Sequence, residues 1–193
     1  MECPDLFRIT ADDGSAHWVI AASVDGSASG LPMTYAYWVG QWDGARFTAH
    51  DPAPQWLDWG WDWYAAVTWP NAQDPERVRC AIGWMNNWKY AARDVPTDAT
   101  DGYNGQMSVV RRIRLVRRPD GRYSLLSEPV SELRNALGEP RTLERREVSG
   151  RWEAPIDPGA RRVRLRIEVD TQSVEVFGSH RSEERRVGKE CRS

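Results

Sequence analysis

Along this 193-residue chain the apolar positions alternate with polar ones and rarely recur at helical spacing. "HWVIAASVDG" and "TYAYWVGQWDG" are aromatic and β-branched runs, closed by Asp25-Gly26 and Asp43-Gly44. Asp-Gly at the end of such a run is a strong signal for a tight turn between strands. "WYAAVTW" stops at Pro70-Asn71, and "VRCAIGWMNNW" follows it. "GQMSVVRRIRLVRR" puts Met107, Val109, Ile113 and Leu115 on one face, then turns at Pro119-Asp120-Gly121. No stretch of a dozen residues carries a helical stripe; only "PVSELRNAL" supports a turn or two of helix. The expected class is all-β.

The runs also repeat. A strand start with a polar or acidic entry falls at Glu2, at Asp58 and near Gly105, at the spacing of roughly 40–50 residues that four-stranded propeller blades show. About three blades cannot close a ring, since known propellers need about four to eight. The repeat therefore predicts a partial propeller over residues 1–137, with further blades ahead of residue 1. A charged stretch punctuated by Pro and Gly from Gly138 to Gly150 reads as a linker. Beyond it, "RRVRLRIEVD" alternates strictly. Val163, Leu165, Ile167 and Val169 face one way, and Arg162, Arg164, Arg166 and Glu168 the other. That pattern predicts a half-buried antiparallel strand, paired through a tight turn with "SVEVF" as part of an incomplete second β-domain over 138–178. "GSHRSEERRVGKECRS" has no periodicity and resembles a translated cloning adaptor. Residues 179–193 are accordingly expected to be a non-native tail outside the fold.

Charge and composition narrow the chemistry. A net charge of -2 gives no global basic field for nucleic acid and no polybasic block for a membrane surface. No apolar run approaches the roughly 20 residues that span a bilayer, and the first twenty residues show no signal-peptide pattern. Cys3, Cys80 and Cys191 are widely spaced and read as free thiols, and His17, His50 and His180 are isolated. Neither set has metal-ligand spacing, so no metal is expected. There is no nucleophile elbow, P-loop or dinucleotide fingerprint, and no organic cofactor is implied. Tryptophan is the outlier: of eleven, ten lie between Trp18 and Trp88. Such density fits either a heavy core or a sugar cleft, where flat aromatic faces meet the C–H faces of sugar rings.

Four ordered stretches together resemble glycoside hydrolase family 32, the levanases, inulinases, invertases and fructan exohydrolases. They are "ECPDLF" at 2–7, "DWGWDWYAAVTW" at 58–69, "IGWMNNWKYA" at 82–91 and "GQMSVVRRIRL" at 105–115. "VD" and "SVEVF" at 169–177 are similar to the β-sandwich that follows the propeller in that family. The resemblance implies a five-bladed β-propeller with three carboxylates in an axial funnel, and then the sandwich. The family's acid/base is the Glu of its Glu-Cys motif, which matches Glu2. Its nucleophile lies in an Asn-Asp-Pro triplet of the first blade, and a fructose-binding carboxylate in an Arg-Asp-Pro triplet of the second; neither triplet occurs here. On this resemblance the chain starts at the third blade.

The chemistry suits that role for Glu2. A retaining glycosidase needs two carboxyls about 5–5.5 Å apart, one ionised to attack and one protonated to release the leaving group. Negative charge and partial burial beside the acid raise its pKa. Asp58, Trp61, Trp84, Asn86 and Trp88 are the candidate substrate contacts, and Glu2, Asp58 and at least one of those tryptophans are expected to share one concave surface. Trp61 stands where many members carry Lys, Arg or another polar residue. Arg111 and Arg112 interrupt an apolar face, which suits one of them to pair with a buried acid; Glu175 is given no catalytic role. The expected function is that of a truncated β-fructofuranosyl hydrolase acting on levan, inulin or sucrose, the fragment itself being inactive. The alternative is a non-catalytic carbohydrate-binding propeller. No nucleic-acid or membrane partner is implied, and the pattern sets neither the oligomeric state nor the cellular location.

Overall fold

The computed structural model describes residues 1–93, 102, 103, 105–139, 164–170, 173–179 and 187–190. Every regular element among them is a strand, apart from two short 3₁₀ turns at Ser27–Ser29 and Ser131–Asn135. The second turn is the one that "PVSELRNAL" supports.

Two meandering antiparallel sheets dominate. In the first, β1 (Glu2–Thr10), β2 (Ala16–Asp25), β3 (Met33–Trp42) and β4 (Phe47–Ala49) lie in chain order, and β5 (Gln55–Trp56) also pairs with β3. In the second, β6 (Tyr64–Pro70), β7 (Val78–Trp84), β8 (Arg111–Arg117) and β9 (Tyr123–Pro129) repeat that order. The grouping into three starts is corrected here. The segment after Gly105 opens no third sheet among the described residues, because β8 pairs with β7 from Val78↔Arg114 to Ala81↔Arg111. The long stretch between Trp84 and Arg111 imitates a blade boundary in sequence, although the strands that flank it pair within one sheet.

Alternation sets which face of each sheet is dry. Phe7, Ile9, Val19, Ala21, Tyr35, Tyr37 and Val39 of the first sheet meet Trp63, Ala66, Ala81, Ile113, Leu115 and Leu125 of the second in one core cluster. Trp63 is fully enclosed, edge-on to Tyr35 at 5.6 Å, with its indole N–H on Ser108 Oγ at 2.8 Å. Polar links run along the seam between the sheets. Thr68 donates to Asp5, and the Thr10 amide donates to the Glu76 carbonyl at 2.8 Å. The histidines are not isolated in space: His17 Nδ1 and His50 Nε2 are 3.1 Å apart. His17 also bonds Ser15 Oγ at 2.8 Å and lies against Tyr123 of β9, so it is a satisfied seam histidine.

A third, three-stranded antiparallel sheet follows, with β10 (Arg164–Val169), β11 (Ser173–Ser179) and β12 (Val187–Glu190) in that order. Two expectations change here. The apolar face of β10 is not covered among the described residues: Leu165 and Val169 are exposed, and it is the Phe177 and Glu175 side of β11 that is buried. The tail set aside from the fold contains a strand, since β12 pairs with β11 from Ser173↔Glu190 to Val176↔Val187. An exposed strand edge offers free N–H and C=O groups, and a short extended segment satisfies them whatever its side chains. The linker expected from Gly138 to Gly150 lies, beyond residue 139, outside the described residues, as do Cys191 and His180.

Gly83 shows how tightly the second sheet closes. A Cβ there would sit 2.7–2.8 Å from three atoms of the Trp63 indole. Gly83→Ala is expected to lower stability by about 1–3 kcal/mol through overpacking, read as a drop in melting temperature. Gly138→Ala, where a Cβ meets nothing within 4 Å, is the control.

Candidate active site

Glu2 opens β1, and Tyr64 opens β6, at matching places in the two sheets. After each the register slips by one residue: Glu2↔Ser23 is followed by Asp5↔Ala21, and Tyr64↔Trp84 by Val67↔Ile82. The residue next to each has a positive φ, 48° at Cys3 and 47° at Ala65. A left-handed non-glycine residue costs roughly 1–2 kcal/mol, and a β-bulge re-aims the side chain beside it. Pro4, which cannot donate to a ladder, fits the first bulge. The two bulges turn Glu2 and Tyr64 toward each other, and Tyr64 is a hydrogen-bond partner of the Glu2 carboxylate.

The other wall comes from the loop after β7. Trp88 Nε1 donates to Glu2 Oε2 at 2.9 Å, and the Trp84 and Trp88 rings meet edge to face at 5.3 Å. Trp88 is 63% exposed and Trp61 61%, whereas of the ten clustered tryptophans only Trp56 and Trp63 are buried. The tryptophan excess is thus mostly at or near the surface, where an apolar face can serve a ligand. Asn87 holds the two walls together. Its Nδ2 donates to the Trp61 carbonyl at 2.9 Å, and its Oδ1 accepts from the Lys89 amide at 3.0 Å. The Tyr90 hydroxyl donates to the Trp61 carbonyl and to Asp62.

Of the expected site residues, Glu2, Trp84 and Trp88 are brought together, with Trp61 open on the loop tied to Trp88 through Asn87. Asp58 and Asn86 are placed otherwise. Asp58 is fully enclosed, with Oδ1 accepting from the Gly60 amide and Oδ2 from Arg111, each at 2.7 Å. Asn86 is 1% exposed and its Oδ1 caps the Asn87 amide. Both shape the wall from behind. Arg111 is the cation expected to meet a buried acid, and it meets two, Asp58 and Glu175. Arg112 is half-exposed on the inner strand β8, 3.7 Å from Glu128. Tyr64 was not singled out in the sequence; a lone aromatic at a strand start carries no signal until the fold sets it against Glu2. Among the described residues no three His, Cys, Asp or Glu side chains gather as metal ligands.

The electrostatics of Glu2 follow from these contacts. Its carboxyl is held below the usual range, first by the Trp88 indole N–H, then by Tyr64, with the Met1 ammonium adding least. Tyr64 is pushed up to about 12, mainly by burial and then by its bond to Glu2, so it stays a donor. In this arrangement Glu2 is ionised at neutral pH and set to accept a proton. Donating one requires a neighbouring negative charge that raises its pKa.

Residues 1–129 match the family model for the glycosyl hydrolases family 32 N-terminal domain. The chain belongs to glycosyl hydrolase family 32. Its sequence is 45% identical over 152 residues to a levanbiose-producing levanase of Geobacillus stearothermophilus, and 44% identical over the same length to that of Bacillus subtilis. These alignments cover 78% of this chain but only 38% and 29% of those enzymes. The crystal structure of exo-inulinase from Aspergillus awamori superposes with a TM-score of 0.75 at 22% identity, over 98% of this chain and 51% of that one. That likeness fixes the all-β fold of the family 32 chain.

Removing the indole donor tests the electrostatic reading. Trp88→Phe is expected to raise the Glu2 titration midpoint toward the ordinary glutamate value, and Trp88→Phe with Tyr64→Phe to raise it further, followed by carboxyl NMR. The sign follows from linkage: a lowered folded-state pKa stabilises above the ordinary value and is lost as pH falls through the folded one.

Proposed function

We propose that this chain is the acid/base-bearing part of a retaining hydrolase of β-fructofuranosyl linkages, with levan as the first substrate to test. The observation that carries the reading is Glu2 itself. It begins a strand of a family 32 domain, is turned by a bulge toward Tyr64 and Trp88, and lies beside the exposed Trp88, which packs on Trp84. The similarity to levanbiose-producing levanases favours levan over inulin or sucrose. On this reading the five-stranded and four-stranded sheets are successive blades of a five-bladed propeller, and the three-stranded sheet begins a β-sandwich. The domain division is residues 1–137, then 138–178, with 179–193 as an appended tail that adds an edge strand.

In the reaction, a carboxylate supplied by a preceding blade attacks the anomeric carbon. Its charge beside Glu2 raises the Glu2 pKa, so that Glu2 is protonated and gives its proton to the leaving oxygen. Glu2 then takes a proton from the incoming water, which releases fructose. Trp88 and Tyr64 hold the carboxylate in one orientation through both steps. Trp61 and Trp88 offer apolar faces to the sugar, and Asp58 and Asn86 fix the loops that carry them.

The chain alone is expected to release no fructose from levan, inulin or sucrose, because it contains neither the Asn-Asp-Pro nor the Arg-Asp-Pro triplet. Joined behind the residues that precede the matched segment of the levanbiose-producing levanase of Bacillus subtilis, it is expected to hydrolyse levan. Glu2→Gln in that chimera is expected to lower kcat by about 10²–10⁴-fold. A chimera that turns over equally well with Glu2→Gln would remove Glu2 from the mechanism. A chimera that binds levan without turnover would favour a sugar-binding propeller.

A further inference from the structure

A buried group of three charges ties the C-terminal sheet to the wall of the candidate site. Arg111, the first residue of β8, is 1% exposed and lies over Trp63 at 4.5 Å and Phe177 at 5.2 Å. Its Nη1 donates to Asp58 and its Nη2 to Glu175, each at 2.7 Å. Glu175 belongs to β11 and is 2% exposed. Two carboxylates against one guanidinium leave a surplus negative charge away from water. Backbone donors satisfy it: the Gly60 amide on Asp58 and the Val109 amide on Glu175, each at 2.7 Å. Charge-assisted bonds of this kind fix geometry more than they add net stability.

The contacts continue outward. Asp58 sets Gly60, Trp61 follows, and the Trp61 carbonyl is held by Asn87. Asn87 precedes Trp88, and Trp88 donates to Glu2. A side chain of the C-terminal sheet is therefore joined to the candidate acid through Arg111, the 58–62 loop and the Trp88 loop, with hydrogen bonds or adjacent residues at every step.

We propose that Glu175 is a positioning residue: it holds Arg111 and Asp58 so that the 58–62 loop and Trp88 keep their places around Glu2. The C-terminal sheet is then a working part of the site. This rests on the sugar-site reading for its purpose but not for its mechanics. Spatial continuity alone is no proof of coupling, so the test reads coupling directly.

The full chain is compared with Glu175→Gln, which keeps size and hydrogen-bonding capacity but removes the charge. Amide hydrogen exchange is followed at Gly60, Trp61, Asn87 and Trp88, with β2 and β3 as the internal reference, and Glu2 is titrated by carboxyl NMR. Exchange at the four loop amides is expected to rise about tenfold with the reference strands unchanged, and the Glu2 midpoint to move up as the Trp88 bond loosens. Glu175→Asp, which restores the charge, is expected to recover part of both effects. An increase confined to β10 and β11, with the loop and Glu2 unmoved, would reduce the group to a docking contact and overturn the proposal. An equal increase throughout the chain would overturn it as well, because it would mean general destabilisation. In the levanase chimera the same substitution is expected to raise KM for levan more than it lowers kcat. A loop and Glu2 that respond while levan binding does not would leave the link standing and count against the sugar-site reading.

Discussion

The structure depends on a cation placed where water cannot reach it. Arg111 sits at the start of β8, between the second sheet and the C-terminal sheet, with an acid from each side and an aromatic face from each side. A buried guanidinium left alone would cost several kcal/mol, so the three elements that carry Asp58, Arg111 and Glu175 must arrive together. Burial opposes the charge of Arg111, yet Asp58 and Glu175 outweigh it and hold its pKa above the ordinary arginine value. Such a group costs about as much to desolvate as it returns. What it provides is uniqueness, because an apolar contact tolerates sliding and three converging hydrogen-bonded charges do not.

Strain complements that rigidity. Cys3 and Ala65 both take left-handed backbone conformations directly after Glu2 and Tyr64, and such residues cluster at functional sites when the surroundings over-determine them. The surroundings here are the ladders of β1 with β2 and of β6 with β7, which resume at Asp5 and Val67. One extra residue in each strand turns two side chains out of the ordinary alternation. The carboxylate, the phenol and the indole of Trp88 then meet at one place, although they come from β1, β6 and the loop after β7.

Much of the fold was legible in the sequence. Period-two alternation and turn signals marked β2, β3, β6, β7, β8, β10 and β11 because side-chain direction in a strand follows sequence parity. Ordered motifs pointed to Glu2 as the candidate acid and to the tryptophan-bearing segments beside it. The sheet boundary near Gly105 was misread because the sequence between β7 and β8 is as long as a blade connection, and length carries no record of which strands pair. The apolar face of β10 was read as half-buried from its own pattern, although burial depends on what lies opposite.

Sequence by itself determined that the chain is a β-protein of family 32, and its ordered motifs pointed to Glu2 and nearby tryptophans as the candidate site. Those are properties of local period and of residue type in order. Tertiary structure decided the rest. Asp58 became an internal anchor and not an open carboxylate because Arg111, 53 residues away, needed a partner in a dry place. Tyr64 became a partner of Glu2 because a bulge turned it, and His17 met His50 because β2 and β4 flank β3 in the first sheet. Charge pairing, burial and bulge geometry act between residues far apart in the chain, and a pattern read along one strand holds no information about its neighbour.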